Sequence, residues 1–145
     1  MREGLTFDDV CLVPRYNNVV SRTDPTLKTW LSRNVQVELP FVPSNMESVI
    51  SEDLAAVVQK RGGIPIFHRF ADKKQKGKWV QKFPECFLSI GGTYGDFVEA
   101  HYLKKEVDCT RFCIDVAHAH CKSVLKLVGD IKDKYPEIEL IVSPL

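Results

Sequence analysis

The chain has 145 residues, 44% of them hydrophobic and 27% charged, which is the composition of one soluble globular domain with its own core. A net charge of +1 excludes the electrostatic footprint of a nucleic-acid or anionic-membrane binder, and no apolar run reaches the roughly 18 residues of a membrane span. The opening Met1-Arg2-Glu3, followed by Asp8-Asp9, has no apolar leader, so the cytoplasm is the expected compartment.

Residues 1–38 have no regular rhythm and are expected to form an N-terminal arm or cap over the bottom or side of the main unit. Leu5–Val10 and Cys11–Pro14 read as short extended pieces, and Thr26–Val37 as a pair of strands around a turn at Ser32-Arg33-Asn34. Residues 39–145 repeat one unit, an apolar run, a polar cluster and an amphipathic stretch. The runs begin near Phe41, Ile64, Phe87, Phe112 and Leu140, roughly 23 to 28 residues apart, a spacing that suits the units of a (β/α)8 barrel of about 250 residues.

Pro40–Pro43 reads as a first buried strand followed by the loop Ser44-Asn45-Met46-Glu47. Ser51 is placed to cap a helix that carries Glu52 and Asp53 in its first turn, sets Leu54, Val57 and Val58 on one face, and ends at Gly62-Gly63. Ile64–Phe67 is the second strand, ending in His68-Arg69. A basic helix from about Lys73 to Phe83 buries Trp79, Val80 and Phe83.

Cys86–Ile90 is the third strand, ending in Gly91-Gly92-Thr93. Asp96 with Glu99 resembles a capping box for a helix carrying Phe97, Val98 and Leu103. Arg111–Ile114 is the fourth strand, leading into Asp115. Val124, Leu127, Val128, Ile131 and Tyr135 mark the last helix, Pro136 ends it, and Leu140–Val142 starts a fifth strand. The pattern predicts a parallel α/β sheet, either an incomplete TIM (β/α)8 barrel of four units plus the start of the fifth strand, or a doubly wound open sheet.

Several residues at these strand ends carry chemistry, each beside a plainer role. Asp115 offers two acceptor oxygens for the hydroxyls of a ribose, or caps the next helix. Arg69 is a permanent cation suited to phosphate or carboxylate, or a solvated arginine. Asn45 and Met46 pair an amide with a thioether able to lie on a flat ring, or make a loop turn with a core methionine. Gly91-Gly92-Thr93 lacks the G-x-G-x-x-G pattern and reads as a turn.

His118 and His120 form an H-x-H pair of the kind that opens metal sites in barrel hydrolases. No other His or carboxylate cluster completes a ligand set, so no metal is expected. The five cysteines, Cys11, Cys86, Cys109, Cys113 and Cys121, are odd in number and lack a C-x-x-C pair; they read as reduced structural thiols, with Cys121 a small buried residue at a helix start.

Four ordered segments resemble the N-terminal half of the inosine monophosphate dehydrogenase and guanosine monophosphate reductase family. Gly4–Pro14 resembles its opening arm, and Leu39–Met46 its first strand and substrate loop. Phe67–Phe70 resembles its second strand end, and Ile114–His120 its cofactor-contacting loop. Within that family the reductase branch is the better match. No regulatory insert separates Phe70 from the third strand, Asn precedes Met46, and Arg69-Phe70 follow His68.

The resemblance implies an NADPH-dependent conversion of GMP to IMP with release of ammonia through a thioimidate on a catalytic cysteine. The alternatives are NAD-dependent oxidation of IMP to XMP, or a non-catalytic truncated subunit or binding module. It implies that Ser44, Asn45 and Met46 line the purine nucleotide pocket and that Asp115, Ala117 and His118 meet the cofactor. Asp115 and Arg69 would stand near the departing ammonia, and full-length members would be homo-oligomers, as tetramers.

The chain departs from the family's pattern at Glu47, where Asp or Gln is usual, at Ala119 for Gly, and at Cys121 for Ser. None of its five cysteines takes the nucleophile's position, and Ser143-Pro144-Leu145 stands where the resemblance leads toward the catalytic loop. Truncation before that loop is therefore the expectation.

Overall fold

A computed structural model describes residues 4–143; the expectations drawn from residues 1–3 and 144–145 lie outside it. Four strands form one parallel sheet: β3 (Ile66–Phe67), β4 (Phe87–Ile90), β5 (Arg111–Asp115) and β6 (Glu139–Ser143), in the spatial order β3-β4-β5-β6. They are joined by α2 (Lys73–Lys82), α3 (Tyr94–Val107) and α4 (Lys122–Lys134), and α1 (Glu52–Lys60) precedes the first strand. A two-stranded hairpin of β1 (Thr29–Trp30) and β2 (Gln36–Val37) lies ahead of them, around the expected turn. No helix among the described residues is long and apolar enough to cross a membrane.

The strand period of two divides the sheet into unlike faces. Phe67, Leu88, Ile90, Phe112 and Ile114 point to the helices and join Trp79, Phe83, Leu103, Leu127 and Ile131 in the main core. Ile66, Phe87 and Cys113 point the other way and meet Val35 and Val37 of the hairpin. All the helical packing is on one face, because strands in sequential order joined by crossovers of one hand keep every helix on one side. A doubly wound sheet reverses its order and carries helices on both faces; this sheet does neither.

The hairpin closes the amino end of the sheet. Glu139, at the start of β6, accepts from the Asn34 backbone amide at 3.1 Å and from its Nδ2 at 2.9 Å, and the Gly62 carbonyl accepts from the amides of Glu38 and Leu39. Gly62 has φ +78°, a conformation that glycine adopts without strain, and a Cβ there would stand 2.7 Å from that of Glu38.

Four expectations are corrected. Pro40–Pro43 forms no strand: two of its four residues lack an amide proton, and Phe41 is 57% exposed. Leu5–Val10 is not extended; a 3-10 turn spans Phe7–Asp9, closed by Asp9 on the amide and hydroxyl of Thr6. In α1, capped by Ser51 as expected, the buried residues are Ala55 and Val58 while Val57 faces solvent. The box that opens α3 lies three residues earlier, with Thr93 as N-cap and Asp96 accepting its amide and hydroxyl. Glu99 is thereby left for Lys76, which is completely buried.

Candidate functional site

A parallel sheet delivers all its carboxyl ends to one edge, so residues distant in sequence meet there. β3 runs out into His68-Arg69-Phe70, β5 ends on Asp115, and the 44–48 loop lies beside them. Together they line an open cavity of about 800 Å³, formed by Asn45, Met46, Glu47, Ser48, Arg69, Phe70 and Asp115. Four of the residues singled out in the sequence, Asn45, Met46, Arg69 and Asp115, thus share one wall.

The others stand apart. Ser44 lines a hollow of about 270 Å³ on the inner face of the sheet, with Asn45, Cys113, Ile141 and Ser143 among its walls. Ala117 and His118 are exposed in the segment between β5 and α4 and line neither hollow. His120 is exposed as well, and among the described residues no three His, Cys, Asp or Glu side chains converge as a metal site.

Arg69 and Asp115 set the charge of the cavity. Arg69 Nε stands 3.8 Å from Asp115 Oδ2, an ion pair too long to be a hydrogen bond, and the guanidinium lies 4.8 Å above the Phe70 ring. The Asp115 side chain is only 13% exposed, yet its carboxylate accepts no hydrogen bond from the described residues. A nearly buried carboxylate with a single distant cation has unused acceptor capacity, which a ligand hydroxyl, amine or ammonium group satisfies. Beside it, Met46 and Phe70 offer half-exposed apolar surfaces suited to a flat ring.

His68 sits behind this wall, buried and edge-on to Trp79 at 5.2 Å. Its Nδ1 has no partner among the described residues. Burial, with help from the Lys76 ammonium, holds the imidazole below its ordinary pKa against the opposing pull of Glu47.

The Gly91-Gly92-Thr93 segment is a closed turn. Asp96 accepts from the amides of Gly91 at 2.7 Å and Thr93 at 2.8 Å, so those donors are not free for an anion. A Cβ on Gly91 would stand 2.9 Å from both Asp96 oxygens. Burial raises the Asp96 pKa, but the Thr93 and Gly91 hydrogen bonds, helped by Arg69, outweigh it and lower the carboxyl below its usual range. A lowered folded pKa gives stability that is complete above the unfolded value of about 4 and is lost as pH falls through the folded one. Asp96→Asn is expected to flatten this acid limb and to cost about 1 kcal/mol at neutral pH, checked by thermal melts across the acid range.

Cys121 is the N-cap of α4 and half-buried, not buried as expected; the Ser123 hydroxyl lowers its thiol pKa. Burial instead pushes the Cys109 and Cys113 thiols up to about 11, and Cys86 higher still.

Glu47, Ser48 and Phe70 line the cavity without having been assigned to it from sequence, because a loop side chain has no periodicity to fix its direction. Ser89, which supports Asn45 from β4, did leave a signal: it is the one polar residue inside the apolar run Phe87–Ile90.

The family model described as IMP dehydrogenase / GMP reductase domain matches residues 4–144. An inosine-5'-monophosphate dehydrogenase of Nitrosopumilus maritimus is 44% identical over 81 residues, covering 56% of this chain and 17% of that protein. A GMP reductase of Lactobacillus gasseri is 35% identical over 142 residues, covering 93% of this chain and 42% of that protein. The crystal structure of the inosine 5' monophosphate dehydrogenase from Legionella pneumophila aligns with a TM-score of 0.78 at 28% identity, over 99% of this chain and 45% of that one. The chain spans less than half the length of each of these relatives.

Proposed function

Because the chain belongs to the IMP dehydrogenase / GMP reductase family, we propose that it carries the nucleotide-facing wall of a purine nucleotide oxidoreductase of the GMP reductase type. In this reading the main unit from residue 39 onward belongs to the wall of a TIM barrel, with the strands β3 to β6 at its second to fifth strand positions, the 40–43 segment lying unpaired at the first and α1 following it, and residues 1–38 are its arm. Sequential strands with helices on one face support that reading, since a barrel wall has this construction.

The observation that carries it is the convergence of Asn45, Met46, Arg69 and Asp115 on one cavity at the carboxyl edge of the sheet. Its volume of about 800 Å³ lies within the roughly 300–1,000 Å³ of small-molecule sites. Met46 and Phe70 lie against the purine, and Ser44 and Asn45 shape the loop that carries Met46 to it. Asp115, Ala117 and His118 face the cofactor; the open acceptor positions of Asp115 fit a ribose diol or a carboxamide. NADPH, when bound, supplies the hydride. Asp115 accepts an N–H of the departing ammonia, and the Arg69 guanidinium stands 3.8 Å from that carboxylate on the same wall.

The family's covalent step needs a thiolate, and among the described residues no cysteine lines the cavity. Binding and turnover are therefore expected to separate. GMP titrated into this chain is expected to bind, and NADPH oxidation with GMP is expected only from a version extended through the family's sixth unit. Asp115→Asn in that version lowers turnover at least about 100-fold, the scale of a lost proton-transfer or charge-stabilising group.

The relative from Nitrosopumilus maritimus, 44% identical over its aligned segment, favours the second reading, NAD-dependent oxidation of IMP. IMP with NAD is the parallel arm of the assay. Turnover there and none with GMP and NADPH would assign the dehydrogenase direction, and absence of any nucleotide binding would overturn both.

A further inference from the structure

Ser89 is completely buried in the middle of β4, on the inner face of the sheet and opposite Cys113 in the ladder. A buried hydroxyl is costly unless it has a partner. Its partner is Asn45, whose Nδ2 donates to Ser89 Oγ at 2.7 Å across 44 residues of sequence, and Asn45 is itself 6% exposed. Among the described residues this is the one hydrogen bond that ties the 44–48 loop to the sheet; the loop's backbone bonds, from Val49 and Ile50 to the Met46 carbonyl, are local. Pro40 and Pro43 ahead of it have no amide proton with which to anchor the approach.

Ser89 is also held from the helical side. Its carbonyl lies 3.4 Å from Lys76 Nζ, and that fully buried ammonium is fixed in turn by Glu99 at 2.7 Å. The residue is pinned on both faces of the sheet, by its backbone toward α2 and α3 and by its hydroxyl toward the loop. Asn45, anchored in this way, is followed directly by Met46, which is half-exposed on the cavity wall.

We propose that Ser89 is a positioning residue: through its hydrogen bond to the Asn45 carboxamide it seats the 44–48 loop, so that the Met46 thioether is presented to the ligand. Asn45 then acts chiefly as an anchor, and Met46 as the contact. The inference deepens the nucleotide-site reading above and rests on it for the identity of the ligand.

The chain contains two methionines, Met1 and Met46, so the Met46 methyl is readily followed by carbon-13 NMR of methyl-labelled protein. In Ser89→Ala the Met46 resonance is expected to leave its original position, while the methyl signals of the α3–α4 core keep theirs. Ser89→Thr, which retains the hydroxyl, restores the original position. Asn45→Ala breaks the same bond from the loop side, leaves β4 intact, and is expected to shift Met46 likewise. GMP affinity measured by calorimetry falls roughly tenfold in Ser89→Ala, the size of one lost hydrogen bond with its partner left buried.

An unmoved Met46 resonance in folded Ser89→Ala or Asn45→Ala overturns the positioning role. A wild-type chain whose Met46 signal does not respond to GMP, but does respond to these substitutions, upholds the positioning role and overturns the nucleotide reading.

Discussion

Glu99→Leu is expected to destabilise the protein by about 3 kcal/mol, because it leaves the Lys76 ammonium buried without its anion. The Lys76 side chain is completely buried, and Glu99 at 2.7 Å is its one carboxylate partner among the described residues. Glu99 is 21% exposed, which admits some water to the gap and sets the cost at the low end of the usual range for a broken buried pair. Lys76→Met removes the charge with its need for a partner and fills a similar volume, so its cost is expected to stay below about 1.5 kcal/mol. The double variant Glu99→Leu/Lys76→Met should then recover most of the stability lost in Glu99→Leu alone. Urea denaturation of the four proteins closes the cycle, and equal costs for the two single substitutions would show that the pair is not the unit.

Phe67→Ala is expected to cost about 4 kcal/mol, the scale for truncating a fully buried aromatic side chain. The ring stacks on Trp79 with centroids 4.4 Å apart and planes 9° apart, and it touches Phe83 at 5.5 Å. It is the point where β3 and α2 meet, and His68 and Arg69 follow it directly toward the cavity. The loss therefore loosens the strand end that places Arg69 as well as the core. Trp30 is largely exposed, so Trp79 is the buried tryptophan and its fluorescence reports the site. A red shift together with a lowered urea midpoint is the expected result; a cost under about 1.5 kcal/mol would mean that Trp79 and Phe83 collapse into the space. Single domains have about 5–15 kcal/mol in all, so either substitution removes a large share.

The elements that could be read from the sequence are those whose burial is periodic. α4 shows Val124, Leu127 and Ile131 at helical spacing, and the same three are buried in the fold. The runs Cys86–Ile90 and Arg111–Ile114 are bounded by turn residues and form strands within one residue of expectation, at Phe87–Ile90 and Arg111–Asp115. Pro40–Pro43 misled because an apolar run only shows what is hydrophobic; pairing needs amide donors, and two prolines remove them. At the start of α3, Thr93-Asp96 and Asp96-Glu99 have the same spacing, and only the geometry of the Gly91–Thr93 turn makes Thr93 the N-cap.

The cavity was legible in part for the same reason. Asp115 and Arg69 follow apolar strands, so their position at the carboxyl edge follows from the strand itself, and the pair meets at 3.8 Å. Phe70 and Ser48 belong to loops, whose side chains take their direction from what they pack on, so no spacing in the sequence marks them for the cavity.

By itself, then, the order of residues determined the alternation of strand and helix, the edge at which the polar residues gather, and the resemblance of four segments to one family, because each is encoded locally in spacing and motif. Only the tertiary structure decided that the strands run in unbroken sequence with helices on one side, that Lys76 is buried against Glu99, and that Ser89 holds Asn45. Those facts depend on contacts between residues tens of positions apart, whose partners are chosen by packing and by the demand that every buried polar group be satisfied.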